Sequence, residues 1–336
     1  MKNKIICVTG GSGFIGTNAL DSLLNNNFKV INFDINPPKN SKHIKFWKKV
    51  DLRNYDMLFL ELEKEKPTHI LHLAADLGME HKSLDNLKCN TKGVENLVKA
   101  INNIKSIERV VFTSSLLVCE NGYIPKNELD YCPPNFYGKS KVIGEMTVRN
   151  SKINCEWVIV RPTSIWGPYF DYSYKKFFQV IDQNKYFHIG KNEFQKPASY
   201  VGNTVYMMLK ILFENKSGIN KNTFYLADYP WYSTRKWSKT IQNVLNSKPI
   251  RTAPLWILSI VAFFGDILKF FKIDPPLTSF RLNNILTGGE YSIKNTMKIV
   301  GKLPYNLNQA VFETAQWMYE NNLIKHKPKN KNEINR

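Results

Sequence analysis

Along the first half of the chain, short apolar runs alternate with stretches whose apolar residues recur at helical spacing. Ile5–Thr9, Lys29–Asp34, His69–Leu73, Arg109–Thr113 and Trp157–Arg161 are rich in Val, Ile and Phe and nearly continuous in apolar character. Strands buried on both faces of a parallel sheet carry that signature, because neither face meets water. Between them the pattern predicts helices over Phe14–Asn25, Tyr55–Lys66, Asn86–Asn103 and Asn135–Asn150. Strand–helix alternation of this kind predicts an α/β fold. It is a doubly wound parallel Rossmann sheet with its ligand crevice at the carboxyl ends of the strands.

After Pro162 the regularity weakens. Aromatic residues crowd between Trp166 and Phe178, most of them expected to fill the core of a second lobe and some to stack on a base or sugar. The expected organisation is a nucleotide-binding domain over 1–165, to which Ser199–Phe213 returns, and a smaller C-terminal substrate lobe over most of 166–325. Residues 326–336 form a basic tail expected to be disordered. Leu255–Phe271 is strongly apolar and has two readings. One is an interfacial helix touching a membrane near lipid-linked sugars. The other, favoured by the interruption at Gly265-Asp266 and the lack of a basic polar face, is a helix covering the substrate pocket.

Two groups of residues carry candidate chemistry. Gly10, Gly13 and Gly16 form G-x-x-G-x-x-G directly after a strand and before the helix that opens at Phe14 and Ile15. Glycine permits the tight turn and lets backbone approach a pyrophosphate, which the helix N-terminus attracts. Asp34 ends the second strand, where a carboxylate accepts from adenosine ribose hydroxyls and repels a 2′-phosphate, so NAD is expected rather than NADP. Asp51, with Leu52 beside it, has two readings, the adenine edge or a helix cap. Further on, Tyr137 and Lys141 stand four apart and share one helix face. A phenol needs its pKa lowered by roughly 3 units to act as a base near neutrality. A neighbouring ammonium and a positive nicotinamide ring supply that shift. Ser115, at the end of the fourth predicted strand, points a hydroxyl at the reacting oxygen.

Length and composition narrow the setting. The 336 residues, 43% of them hydrophobic, suffice for a full core and a second lobe. No apolar run reaches the roughly 18–20 residues of a spanning helix, and Ile5-Ile6-Cys7-Val8 is too short for a secretory signal. The five cysteines are scattered and never spaced C-x-x-C, which reads as reduced thiols in the cytoplasm, with Cys119 and Cys132 as packing residues. The histidines form no metal-ligand pattern. The net charge of +19 fits nucleic acid, an anionic membrane or an anionic substrate, but no nucleic-acid motif accompanies it. It is read mainly as a solvated lysine-rich surface.

With these motifs in this order, the chain resembles an extended short-chain dehydrogenase/reductase of the NAD-dependent epimerase/dehydratase family over nearly its whole length. The resemblance implies that Gly10, Gly13 and Gly16 hold the cofactor's phosphates, Asp34 its ribose and Asp51 its adenine side. Leu73-Ala74-Ala75, Asn90, Thr113 and Pro162 match the family's other cofactor-side positions, and Ser115, Tyr137 and Lys141 its catalytic set. Arg161-Pro162 through Gly167-Pro168 matches its stretch next to the nicotinamide. The second lobe of such enzymes binds a nucleotide-activated sugar, here expected at Ser115, Ser164 and Lys196. Many members carry asparagine in place of Ser164 and arginine in place of Lys196, and a lysine loses the two-pronged geometry. Sugar dehydratases place Asp-Glu where Leu116-Leu117 stand, so dehydration is not expected.

The expected function is therefore nucleotide-sugar epimerisation through a transient keto-sugar. A 4-dehydrogenase or 4-keto reductase uses the same residues, and a steroid- or flavonoid-type alcohol dehydrogenase is a further alternative. A non-catalytic nucleotide-sensing or RNA-binding relative would not need Ser115, Tyr137 and Lys141 together. A homodimer is expected through a four-helix bundle of the third and fourth helices; Val94, Leu97, Val98 and Ile101 supply apolar positions at helical spacing, which serve either that bundle or the face turned to the sheet.

Overall fold

The computed structural model describes residues 4–329, apart from 171, 191–192, 194, 216–217, 272, 274, 276, 280–281 and 283–290. The first half runs β1 (Ile5–Thr9), α1 (Phe14–Asn25), β2 (Lys29–Asp34), β3 (Trp47–Lys49), α2 (Tyr55–Glu65), β4 (His69–His72), α3 (Lys92–Ile101), β5 (Arg109–Thr113) and α4 (Phe136–Asn150). It continues through β6 (Glu156–Pro162), β7 (Ser164–Trp166), α5 (Tyr172–Asp182), β8 (Phe187–Ile189), β9 (Gln195–Lys196), β10 (Ala198–Tyr200), α6 (Val201–Leu212) and β11 (Thr223–Leu226). Then follow β12 (Tyr232–Ser233), α7 (Thr234–Leu245), β13 (Arg251–Ala253), α8 (Leu255–Phe270), α9 (Lys294–Val300) and α10 (Leu307–Glu320).

Seven strands form one parallel sheet in the order β11-β6-β5-β4-β1-β2-β3. Alternate side chains feed two cores. Ile6, Val8, Leu71 and Val111 pack with Leu20 and Leu23 of α1 and with Val205, Met208 and Ile211 of α6. Cys7, Ile70, Val110 and Phe112 pack on the other face with Leu58 and Leu62 of α2 and with Leu97 and Ile101 of α3. Burial on both faces is why these strands read as continuous apolar runs. The chain order reverses between β1 and β4, which sets the ligand crevice beside Thr9 and His72. Across that point His72 Nδ1 lies 2.7 Å from Thr9 Oγ1, and burial brings the imidazole down to about 3, so it is neutral.

The structure departs from the sequence pattern in four places. The third helix begins at Lys92, not Asn86, after a 3-10 turn over Leu84–Leu87. The side chain of Asn90 is the cause: it bonds to the backbone of Asp76 and to Ser140, which holds the chain off the helical path. Two sheet strands, β3 and β11, were not signalled, and β11 arrives from well beyond residue 165 to pair with β6. Of the two readings of Val94, Leu97, Val98 and Ile101, the structure has the one that turns them to the sheet: all four are buried in the monomer's own core. His326 and Lys329 of the supposed tail are docked: the His326 N–H donates to Asp182 and the Lys329 N–H to Val244 O. Finally, α8 does not cover a pocket with its large side chains. It buries only Ala262 and Gly265, while Trp256, Phe263, Phe264 and Phe270 are 58–83% exposed.

The remaining strands form three short ladders, β7 with β10, β8 with β13 and β9 with β12. Around them Trp166, Phe178, Tyr200 and Trp237 build an aromatic core. Its polar centre is Asp228, which accepts from Tyr200 N, Ser199, Asn203 and Tyr232, while burial lifts its carboxyl to about 6.

Candidate active site

The glycine loop is fixed by close backbone approaches. Gly10 has φ +73° and donates its N–H to Phe33 O at 2.8 Å. A Cβ there would lie 2.6 Å from Ala74 N, and one at Gly16 would lie 2.1 Å from Gly10 O. The loop, α1 and the Leu73-Ala74 backbone therefore meet with no room for side chains. Gly13 caps α1 without a side-chain bond, and no acidic residue occupies the first turn that Phe14 and Ile15 begin. The positive end of the helix is thus left for an anion. Asp34 stands beside the loop, accepting from Ser12 N at 3.0 Å and Asn36 N at 2.9 Å. Burial raises its pKa, and these backbone donors oppose that.

Across the crevice, Ser115 follows β5 in an extended conformation, and its Oγ accepts from Leu117 N at 3.1 Å. Leu116-Leu117 form a 3-10 turn there and supply no acid or base. Asn135 caps α4 by accepting from Gly138 N, which starts the helix so that Tyr137 and Lys141 face the sheet. A Cβ at Gly138 would lie 2.2 Å from Leu117 O. The glycine next to Tyr137 is what lets the helix close on the serine turn. The Tyr137 hydroxyl is buried beside Ser115, whose side chain works to lower its pKa. Lys141 Nζ donates to Thr113 O at 3.0 Å and lies 5.9 Å from the Tyr137 ring centroid.

The electrostatics differ from the sequence expectation. Burial pushes the Tyr137 phenol up to about 12, opposed by the Ser115 side chain, and burial brings the Lys141 ammonium down to about 8. Lys141 directs its proton at Thr113 O, so in this arrangement desolvation outweighs its charge at the phenol. Three hydroxyls at the strand ends, Thr113 Oγ1, Ser114 Oγ and Thr163 Oγ1, are buried without a hydrogen-bond partner among the described residues. Beneath them a cavity of about 20 Å³ is lined in part by His72, Ser114, Lys141 and Glu145, room for a single water.

The other predicted positions divide. Leu73 and Ala74 line the loop, and Ala75 follows them on the same segment. Pro162 ends β6, paired with Leu226. The polar atoms of Asn90 are all engaged by Asp76 and Ser140, so it fixes the chain around the crevice. Asp51 forms a bidentate pair with Arg53, which lowers its pKa, and Asn54 rather than Asp51 caps α2. Leu52 is buried beside it. Ser164 stands beside the partly buried Tyr174, where it works to lower the phenol's pKa against the effect of burial. Lys196 pairs through its backbone with Tyr232, and its side chain lies outside the described part of the structure.

One residue escaped the sequence reading. Glu145, one turn beyond Lys141 on α4, accepts from Arg161 Nε at 2.8 Å and from its Nη2 at 2.7 Å, and from Tyr131 Oη at 2.9 Å. Burial works against the charge on Arg161, but the bonds and charge of Glu145 more than offset it. The pair pins the helix carrying Tyr137 and Lys141 to β6. The i+4 spacing from Lys141 was the one hint in the sequence; the need for a carboxylate shows only once Arg161 is seen to be fully buried.

A glycine loop at the switch point of a parallel sheet, with Ser, Tyr and Lys beside it, defines a class: the nicotinamide-dependent enzymes of the extended short-chain dehydrogenase type. The chain belongs to the NAD dependent epimerase/dehydratase family, whose family model matches residues 6–227. Its cofactor is NAD, and the residues fit that group: the Gly10–Gly16 cradle has no space for a Cβ at Gly10 or Gly16, and unpartnered hydroxyls line the strand ends. The chain is 30% identical over 188 residues to short-chain dehydrogenase/reductase family 42E member 1 of Danio rerio, covering 50% of this chain and 47% of that protein. It is 25% identical to UDP-glucose 4-epimerase of Vibrio cholerae, covering 93% of this chain and 95% of the other. It is 24% identical to N-acetyl-alpha-D-glucosaminyl-diphospho-ditrans,octacis-undecaprenol 4-epimerase of Escherichia coli O157:H7, covering 94% and 96%. In fold it is similar to the Thermotoga maritima UDP-glucose 4-epimerase structure, with TM-score 0.73 at 16% identity over 94% of this chain and 99% of that one.

Proposed function

We propose that the protein is a nucleotide-sugar epimerase in which Ser115, Tyr137 and Lys141 carry the chemistry. The observation that carries this reading is the convergence of Ser115, at the end of β5, with the buried Tyr137 and with Lys141 one turn further along α4. Gly10, Gly13, Gly16 and Asp34 would hold NAD, which would supply the hydride acceptor and donor for the substrate's carbinol carbon. Tyr137 Oη takes the hydroxyl proton as that hydride leaves, and gives it back when the carbonyl is reduced. Ser115 Oγ holds the reacting oxygen in line with Tyr137. The Lys141 ammonium lowers the cost of the phenolate, which burial alone makes expensive. Epimerisation follows when the keto-sugar presents its other face before reduction.

Full-length similarity to a UDP-glucose 4-epimerase supports a sugar nucleotide as the substrate. The test is thermal shift with a panel of nucleoside diphosphate sugars, followed by proton NMR of any that bind. At least one is expected to raise Tm by several degrees and to yield its epimer. A shift only with a diphospho-undecaprenol sugar or a sterol would overturn the nucleotide reading. On the same sample, light scattering is expected to give a dimeric mass. We assign that contact to α3 and α4 through the half-exposed Ile143 and Met146, the Val94–Ile101 positions being buried.

Asp34 carries the choice of cofactor in this reading. Asp34→Asn removes the charge that repels a 2′-phosphate and weakens the ribose bonds. By calorimetry NAD binding is expected to fall by about 1–3 kcal/mol while NADP binding holds or improves. An unchanged ratio of the two affinities would place the discrimination elsewhere.

A further inference from the structure

We propose that α8 docks the protein on an anionic membrane surface by inserting its side chains into the headgroup–acyl boundary. At 100° per residue, Leu255, Phe270, Phe263, Trp256, Phe264 and Val261 spread over about 240° of the helix circumference. All six are exposed. The remaining sector is the attachment to the rest of the chain. There a Cβ on Gly265 would lie 1.9 Å from Leu277 O and Ala262 is buried, while at the edge of the arc beside Leu255 the Asp266 Oδ1 accepts from Ser279 N at 3.1 Å. The two smallest side chains make the closest contact, so these six large ones point outward.

The width of the apolar arc selects the occupant. A helix that docks in a protein groove presents a stripe of roughly 100°, and its far side stays polar. A second copy of the chain would likewise cover one side of α8 and leave the other in water. A hydrocarbon layer covers the whole arc at once. The helix is 16 residues long, about 24 Å, and no helix among the described residues is long and apolar enough to cross a membrane. It therefore lies in the plane of the interface, and the rest of the chain occupies the place of the polar face that a free amphipathic helix carries. Trp256 near one end suits the headgroup level, and the exposed Phe270 and Phe271 at the other suit the acyl side of the boundary. Exposed cations bracket the segment, Lys248 and Arg251 before it and Lys269 in its last turn, on a chain of net charge +19. That charge complements anionic lipid.

Vesicle flotation reads docking without turnover, so its outcome is independent of the reaction proposed above. The full chain is mixed with vesicles of phosphatidylcholine and phosphatidylglycerol at 3:1, or of phosphatidylcholine alone. Recovery with the vesicles is expected to rise with the anionic lipid and fall with salt. The double variant Phe263→Glu, Phe264→Glu is expected to float at least ten-fold less while its circular dichroism and Tm stay unchanged, since both side chains are exposed. Arg251→Glu with Lys269→Glu is expected to remove the preference for anionic lipid and keep part of the binding. Wild-type protein that stays with the vesicle-free fraction overturns the proposal. So does an oligomer that fails to float and whose mass falls on Phe263→Glu, Phe264→Glu, which would make a second copy the occupant of α8.

Discussion

Replacing Tyr137 with phenylalanine is expected to lower kcat by about 10²–10⁴-fold and leave the fold intact. The variant loses one oxygen, and that oxygen is the proton acceptor and donor of the proposed reaction. The ring is buried, and phenylalanine keeps its packing. Ser115 Oγ keeps its contact with Leu117 N. Bound NAD is expected to remain, because the loop at Gly10–Gly16 and Asp34 is untouched. The measurements are turnover of the substrate found by thermal shift, NAD content after denaturation, and the far-ultraviolet dichroism spectrum. Near-normal turnover would show that the base lies elsewhere in the crevice.

Lys141→Met is expected to remove activity and stabilise the protein. The ammonium is buried, with its pKa brought from 10.5 in a free side chain to about 8 by desolvation. Between those values the unfolded chain binds a proton that the folded chain does not, so stability rises with pH through that window. Below about pH 8 the buried charge subtracts a quantity on the order of 3 kcal/mol, an upper bound set by the shift. Methionine carries no charge there and fills similar space, at the cost of the bond to Thr113 O. The variant is therefore expected to melt above the wild type at pH 7, with the gap narrowing as pH rises toward 10.5. Turnover is expected to fall with it, since the phenolate of Tyr137 loses its nearest cation. A variant that melts below the wild type by the same margin at both pH values would mean that Lys141 is held mainly by its hydrogen bond.

Much of this was readable in the chain before any coordinates. β1, β2, β5 and α1 lie where the apolar pattern put them, because both faces of the inner strands are buried and leave no polar interruptions. The glycine spacing and the Tyr137–Lys141 pair needed only local geometry. What escaped depends on partners distant in sequence. Thr223–Leu226 is too short to announce itself and becomes a strand only because β6 has an open edge. The start of α3 is set by Asn90 reaching Asp76 and Ser140. Glu145 and Arg161 are ordinary residues until α4 lies on β6. In α8, apolarity alone did not say whether the side chains point in or out; Ala262 and Gly265, the small pair that makes the contact, carried that information.

The late arrival of β11 has a consequence for how the chain assembles. β6 is complete at Pro162, but its outer neighbour is not synthesised until Leu226. During translation, or in any fragment cut near residue 165, that edge stands with unpaired N–H and C=O groups and offers a template for wrong pairing. Helix α6, which covers the same end of the sheet, is also made late. A fragment ending near residue 165 is therefore expected to lack the strand that closes this edge of the sheet. The sheet's last pairing spans a long loop closure, and the step that seals it belongs among the slow, non-local ones. The intervening 60 or so residues must be organised before the sheet is safe from its neighbours on the same polysome.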